Sequence, residues 1–365
     1  LTGSAPHLLV CVASHGWGHL AQTVPMVAAL RTRRPALRVT VRTALPAALV
    51  RSRFEAAGLP APTVVADDTE FGFAMHDALT IDDEASLARY RALHAERDAR
   101  LGAERDALRA LRPDAVLANV GWLPIAAAES MGVPAFGACS LNWADLLEAR
   151  YPGRADVAPL VEWMRDAYRR ADALFALEPG MPFDGYPNRV RVGPIARHGT
   201  ARREALRAAL GAPPEARVLL VAFGGLPMRI DTRAWRLPPG WHVVASFDGA
   251  VGTSTVRPFE ALGWPYTDVL ASADALVAKP GYGSYAEAGF AGRDTLEVPR
   301  DDWPESPYLS RWLAGHARVV RLPLDALRAG AFDEGLAALA AQPPRMPAEG
   351  DGAASIAEAI AARIG

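Results

Sequence analysis

The chain has 365 residues, of which 50% are apolar and 22% charged, with 31 Gly, 30 Pro and a formal net charge of −2. That length suits two domains or one large one, and so apolar a chain buries a sizeable core rather than staying disordered. The near-neutral charge without a basic block excludes the electrostatic footprint of a nucleic-acid or acidic-membrane partner, and two cysteines, Cys11 and Cys139, are too few for a disulfide framework or a thiolate zinc site.

The first apolar run, HLLVCVA (7–13), is short, lacks a basic flank and ends in a Gly/His turn, unlike a signal peptide. No later run reaches the ~18 apolar residues of a membrane span, so a cytoplasmic protein is expected. Strand-like runs follow at RVTVRTA (38–44), TVVAD (63–67), AVLANV (115–120), PAFGAC (134–139) and ALFALE (173–178), separated by helical spacing over Ala21–Leu30 and 82–112. This alternation predicts βαβ units around a parallel sheet. From Glu178 to Gly199 Pro and Gly recur every few residues, which predicts a linker. The rhythm restarts with RVLLVAFGG (217–225), HVVASFD (242–248), ALVAK (275–279), DTLEVP (294–299) and ARVVRL (317–322), and an Ala-rich helix (352–363) closes the chain. The expected organisation is two Rossmann-like, doubly wound α/β domains over 1–178 and 200–345, a linker over 179–199, and a final helical segment over 346–365 free to pack on the first domain.

Three segments carry chemistry. In VCVASHGWGHLAQTVPMVAAL a strand runs through Gly16 and Gly18 into a helix, placing His19 at the carboxyl edge of the first strand, where open α/β sheets bind ligands. The plainer reading is a tight turn with a polar His at the helix cap. His15 and His19 do not suggest a metal site, since the intervening Gly-Trp-Gly breaks a helical pair. In DALVAKPGYGSYAEAGFAG (274–292) a second Gly-rich turn presents the N–H groups of Gly283 and Ser284 and the Ser284 hydroxyl to a phosphate. Lys279, the only lysine of the chain, precedes that turn, and Glu287 is placed to accept hydrogen bonds from a ribose diol. In VPRDDWPESPY (298–308), Arg300, Asp301, Asp302 and Glu305 form either a charged surface loop or a pocket for sugar hydroxyls. No Asp-x-Asp pair occurs, which weighs against a diphosphate held through a metal.

KPGYGSYAE is similar, position for position, to the HCGWNSxxE core of the nucleotide-sugar motif of the UDP-glycosyltransferases. The resemblance implies a GT-B fold, with two Rossmann-like domains facing a cleft. It places Lys279 where that family has a phosphate-binding His and Gly283 where it has Asn, within a Gly281–Ser284 turn, while Ser284 and Glu287 match its phosphate-binding Ser and ribose-binding Glu. Pro265 and Tyr266 fall at its Pro-Gln pair near the uracil, and GHLAQTVPMVAAL resembles its acceptor-side motif, with His19 matching the general base. SHGWGH, CSLNWADLLEARY, AFGGLP, PPGWHVV and PRDDWPESPYLSRWL resemble segments of the glycosyltransferase-like half of plant L-arabinokinase, and AFGGLP adds Gly224 and Gly225 as donor-binding candidates. No ATP loop of the sugar-kinase type occurs in these residues, so kinase activity is not expected.

The sequence also departs from the family. PDAVLAN puts Asn119 where the family has the Asp that orients the base, the Gly-x-Pro after the Glu reads Gly292-Arg293-Asp294, and Asp302-Trp303-Pro304-Glu305 replaces the acidic-Gln pair for the donor sugar. The implied activity is metal-independent, inverting transfer from a UDP-sugar or another nucleoside-diphosphate sugar to a hydroxyl acceptor, with no cofactor beyond the donor. Trp17, Gly18, Trp122, Asn142 and Trp143 are the candidate acceptor platform, and Arg300, Asp301, Asp302 and Glu305 the candidate sugar pocket. A non-catalytic nucleotide-sugar-binding module and a GT-B sugar-nucleotide epimerase remain as rivals.

Overall fold

Runs such as HLLVCV have no polar face, so as strands they are stable only inside a sheet covered on both sides. The computed structural model describes residues 5–67, 71–77, 79–224, 229–247 and 250–364, and it divides into two units. The first comprises Leu1–Ala74, Ile81–Ile195 and Gly350–Gly365. Its strands are β1 (His7–Val12), β2 (Arg38–Thr43), β3 (Thr63–Ala66), β4 (Ala115–Asn119), β5 (Ala135–Cys139), β6 (Ala173–Leu177) and β7 (Arg189–Val192). They form one parallel sheet in the order β3-β2-β1-β4-β5-β6-β7. Strands β1, β4 and β5 are buried throughout. The one arginine buried within these strands, Arg42 of β2, is held by both carboxylate oxygens of buried Glu104 at 2.8 and 2.9 Å, which offsets the cost of desolvating its charge.

The second unit comprises Met75–Thr80 and Ala196–Glu349. Its strands are β8 (Arg217–Ala222), β9 (Trp241–Ser246), β10 (Val256–Pro258), β11 (Ala275–Ala278), β12 (Thr295–Glu297) and β13 (Val319–Arg321). They too form a parallel sheet, in the order β10-β9-β8-β11-β12-β13. One face packs Leu219, Val221, Val243, Val277 and Leu296 with Trp235 and Phe332, and Leu79 of the short 75–80 segment joins this cluster.

In both sheets the strand order reverses beside the first strand, between β1 and β4 and between β8 and β11. Ligands of doubly wound sheets bind at such switch points, outside the carboxyl ends of the strands.

Two elements depart from the sequence reading. The segment expected to be a linker contains β7, paired to β6, and β10 adds an edge strand to the second sheet. The final helix, Gly352–Ala361, lies in the first unit, where Arg34 Nη2 donates to Ala361 O at 2.8 Å. Gly352 is required there, because a Cβ would lie 2.0 Å from Gly193 O. Among the described residues no helix is long and apolar enough to cross a membrane.

Candidate active site

At the switch point of the first sheet, β1 turns through Gly16 (φ +81°), a left-handed conformation that favours glycine, into the helix Gly18–Arg33. His19 is inside this helix rather than at its cap, since the N-cap is Trp17 and no side chain caps the helix. Asn119 ends β4, paired to Val12 in the register of β1. That pairing brings Asn119 Oδ1 to 2.8 Å from His19 Nδ1.

A chain of neutral side chains continues from there. Asn119 Nδ2 donates to Gln22 Oε1 at 2.9 Å, and Gln22 Nε2 donates to Ser140 Oγ at 3.1 Å. The Cys139 thiol lies 3.5 Å from Gln22 Oε1 and 3.7 Å from His19 Nδ1. With its Nδ1–H given to Asn119, His19 carries the lone pair on Nε2, an atom without a hydrogen bond among the described residues. Burial pushes its pKa down to about 4, against the smaller opposing effect of the Asn119 hydrogen bond, so the imidazole is neutral at physiological pH.

The fully buried Trp143 ring packs against His15 and His19, each at 5.7 Å between centroids. Gly72 lets the chain pass here, since a Cβ would lie 2.6 Å from Trp143 Cη2 and 2.9 Å from His15 Cγ. The other acceptor-platform candidates are dispersed. Trp17 is 46% exposed, with Arg53 over its ring at 5.9 Å. Trp122 is buried edge-on against Trp163 at 4.1 Å, and Asn142 caps the helix Trp143–Arg150 by accepting from Asp145 N at 2.8 Å.

In the second unit, Lys279 follows β11 and Gly281 is the N-cap of the helix Tyr282–Phe290. Gly281 has no side chain to cap that helix, and the first turn carries the N–H groups of Gly283 and Ser284, a position that suits an anion. Burial first, and then the positive charge of Arg300, pushes the Lys279 pKa down to about 7, with Glu305 opposing. Arg300, only 5% exposed, lies over the Trp303 ring at 4.0 Å, and its Nε has no hydrogen-bond partner among the described residues. Burial lowers the Arg300 pKa to about 10, against the opposing charges of Asp302, Glu305 and Asp77. Two neighbouring cations, each weakened by burial, are thus poised for an anionic group.

Glu287 projects from the same helix and its Oε1 pairs with Arg197 Nη2 at 3.1 Å. The buried Tyr266 hydroxyl lies beside Ser284 and Glu287, and its pKa is raised first by burial and then by the Glu287 charge. In the 298–308 loop, Glu305 accepts from Trp303 Nε1 at 3.1 Å, and exposed Asp301 pairs with Arg321 at 2.7 Å. Asp302 is half-buried beside Arg300. Gly224 adopts φ +70° after β8, and Gly225 lies outside the described residues. No group of three or more potential metal-ligating side chains occurs among the described residues.

Sequence reasoning missed Gln22, Ser140 and Arg197. Gln22 left a signal, since it lies three residues after His19 on the same helix face, in a stretch, LAQTVPMVAAL, whose one other polar residue is Thr23. Ser140 and Arg197 stand in a loop and in the expected linker, where no periodicity marks them.

No family model matches the chain. L-arabinokinase of Arabidopsis thaliana is 26% identical over 321 residues, which are 86% of this chain and 30% of that protein. The chain thus spans less than a third of that relative's length. Among solved structures, the calicheamicin glycosyltransferase CalG4 superposes with a TM-score of 0.62 at 20% identity, covering 98% of this chain and 94% of that one. The spinosyn rhamnosyltransferase SpnG, solved with thymidine diphosphate, gives 0.55 at 16% identity, covering 98% and 95%. The chain has the GT-B glycosyltransferase fold and is distantly homologous to plant L-arabinokinase over most of its length.

Proposed function

We propose that the protein is an inverting glycosyltransferase that moves a sugar from a nucleoside-diphosphate sugar to a hydroxyl acceptor. The observation that carries this reading is the His19–Asn119 pair at the first switch point, which leaves a neutral imidazole with its lone pair on Nε2. His19 Nε2 takes the proton of the acceptor hydroxyl while that oxygen bonds to the anomeric carbon. The bond from the anomeric carbon to the diphosphate breaks, and its electron pair leaves with the diphosphate.

The second unit holds the donor. Lys279, Arg300 and the N-terminus of the helix Tyr282–Phe290 neutralise the charge that develops on the leaving diphosphate, so no metal is needed in this reading. Glu287 receives the ribose diol, and Tyr266 borders the base. Asp302 and Glu305 accept from donor-sugar hydroxyls. UDP is the expected nucleotide, on the match of KPGYGSYAE to the UDP-sugar motif, and the thymidine diphosphate held by SpnG makes the thymine nucleotide the first comparison.

A thermal-shift panel of nucleoside diphosphates tests donor binding, because a ligand at 100 times its Kd adds about 2.7 kcal/mol of stability. Nucleotide-sugar turnover is then read as diphosphate release. His19→Ala is expected to abolish release while leaving donor affinity unchanged. Equal release by wild type and variant overturns the reading.

A further inference from the structure

We infer, resting on the reading of His19 as the base, that Gln22 is a positioning residue that acts through Asn119 to decide which His19 nitrogen is basic. An amide can present either its oxygen or its NH2 group to an imidazole nitrogen at the same distance, so Asn119 alone does not select a tautomer. With the oxygen toward Nδ1, that nitrogen must carry the proton and Nε2 is a base. With the NH2 group toward Nδ1, the proton moves to Nε2 and the base is lost.

Gln22 breaks the tie. Its Oε1 faces both Asn119 Nδ2, at 2.9 Å, and the Cys139 thiol, at 3.5 Å, while its Nε2 reaches Ser140 Oγ at 3.1 Å. A thiol donates weakly and accepts poorly, so Cys139 favours the Gln22 oxygen over its NH2 group. That oxygen requires a donor from Asn119, which must be Nδ2, and Oδ1 is thereby committed to His19 Nδ1. Gln22 is 3% exposed, Asn119 0%, Ser140 1% and His19 7%, so bulk water does not substitute for a misdirected member. Reversing one amide therefore forces the reversal of the whole chain or leaves a buried polar atom without a partner. Gln22 and Asn119 together supply the orientation that a carboxylate gives elsewhere, without its charge.

The tautomer is read by 15N NMR of the histidine-labelled protein, with the His19 signals assigned by their loss in His19→Gln. Wild type is expected to show a protonated Nδ1 and an unprotonated Nε2. Gln22→Met keeps the length of the side chain but cannot fix the Asn119 amide. It is expected to shift His19 toward the Nε2–H form and to slow UDP release from a UDP-sugar that wild type turns over by at least about tenfold at unchanged KM. Gln22→Glu still accepts from Asn119 Nδ2 and is expected to retain the wild-type tautomer. A wild-type His19 protonated on Nε2, or a Gln22→Met protein with the wild-type tautomer and rate, overturns the inference. If wild type releases no diphosphate from any nucleotide sugar, the transfer reading fails, while the NMR comparison still decides the role of Gln22.

Discussion

Arg197 and Glu287 form an ion pair, with Nη2 3.1 Å and Nε 3.2 Å from the same carboxylate oxygen, Oε1. Glu287 is buried and Arg197 half-exposed, so the guanidinium both compensates the buried charge and fixes the direction of the carboxylate. The ribose reading of Glu287 predicts that Glu287→Ala weakens UDP binding by about 1–3 kcal/mol through loss of charge-assisted hydrogen bonds. Arg197→Ala is expected to weaken it less, since the carboxylate remains. Calorimetric titration with UDP checks both, and equal affinity of wild type and Glu287→Ala removes the ribose role.

Lys279 sets a pH dependence for donor binding. Burial and the charge of Arg300 hold its pKa at about 7 in the free protein, and a bound diphosphate favours the ammonium and raises it. Affinity for a nucleotide sugar is thus full below pH 7 and falls as pH rises from about 7 toward the raised value, by at most tenfold per unit. Lys279→Met is expected to bind the donor weakly with this pH dependence gone. The same burial makes Lys279 a cost to the empty protein below the ordinary lysine pKa, so Lys279→Met is also expected to raise Tm at neutral pH. Titrations with one nucleotide sugar at pH 6 to 9, beside melting curves, check the pair of effects.

Gly72 tests the packing around the His19 site. Its Cβ would collide with the Trp143 and His15 rings at 2.6 and 2.9 Å, and Trp143 is fully buried. Gly72→Ala is expected to cost about 1–3 kcal/mol as overpacking, measured by denaturant unfolding. Unchanged stability would show that the two rings yield.

The interior of the fold was readable because the central strands of a parallel sheet are unbroken apolar runs, and all eleven runs picked out in the sequence contain strands. The two strands that escaped, RVRV of β7 and VRP of β10, lie at sheet edges. An edge strand is half-solvated and needs no apolar run, and β7 is further masked by the Pro and Gly around it. In the candidate site, His19, Lys279, Ser284 and Glu287 stood out because a turn fixes them in local sequence. The grouping of Trp143 with His15 and His19 did not, since it depends on chain segments more than 120 residues apart that only the sheet order brings together.

Asn119 offers the sharpest test of the mechanism. It accepts the Nδ1–H of His19 at 2.8 Å, orienting the ring but contributing no charge to stabilise the imidazolium that forms when the acceptor proton is taken. With its pKa held at about 4, His19 is in its basic form through the physiological range yet is a weak base. Asn119→Asp places a carboxylate against Nδ1 and is expected to raise the pKa of His19 and the rate with any accepted substrate. The surroundings can accommodate it, because Gln22 can turn its amide so that Nε2 donates to the new carboxylate while the Ser140 hydroxyl donates to Oε1, at the expense of the weak contact from the Cys139 thiol. The sign of the pH effect follows from the direction of the shift. His19 is lost as a base below its own pKa, so the acid limb of kcat/KM, expected near pH 4 in the wild type, moves to higher pH in the variant. A rate that stays flat or falls in Asn119→Asp, with folding and donor affinity preserved, would show that charge behind His19 does not limit the reaction and would shift weight to the non-catalytic binding module.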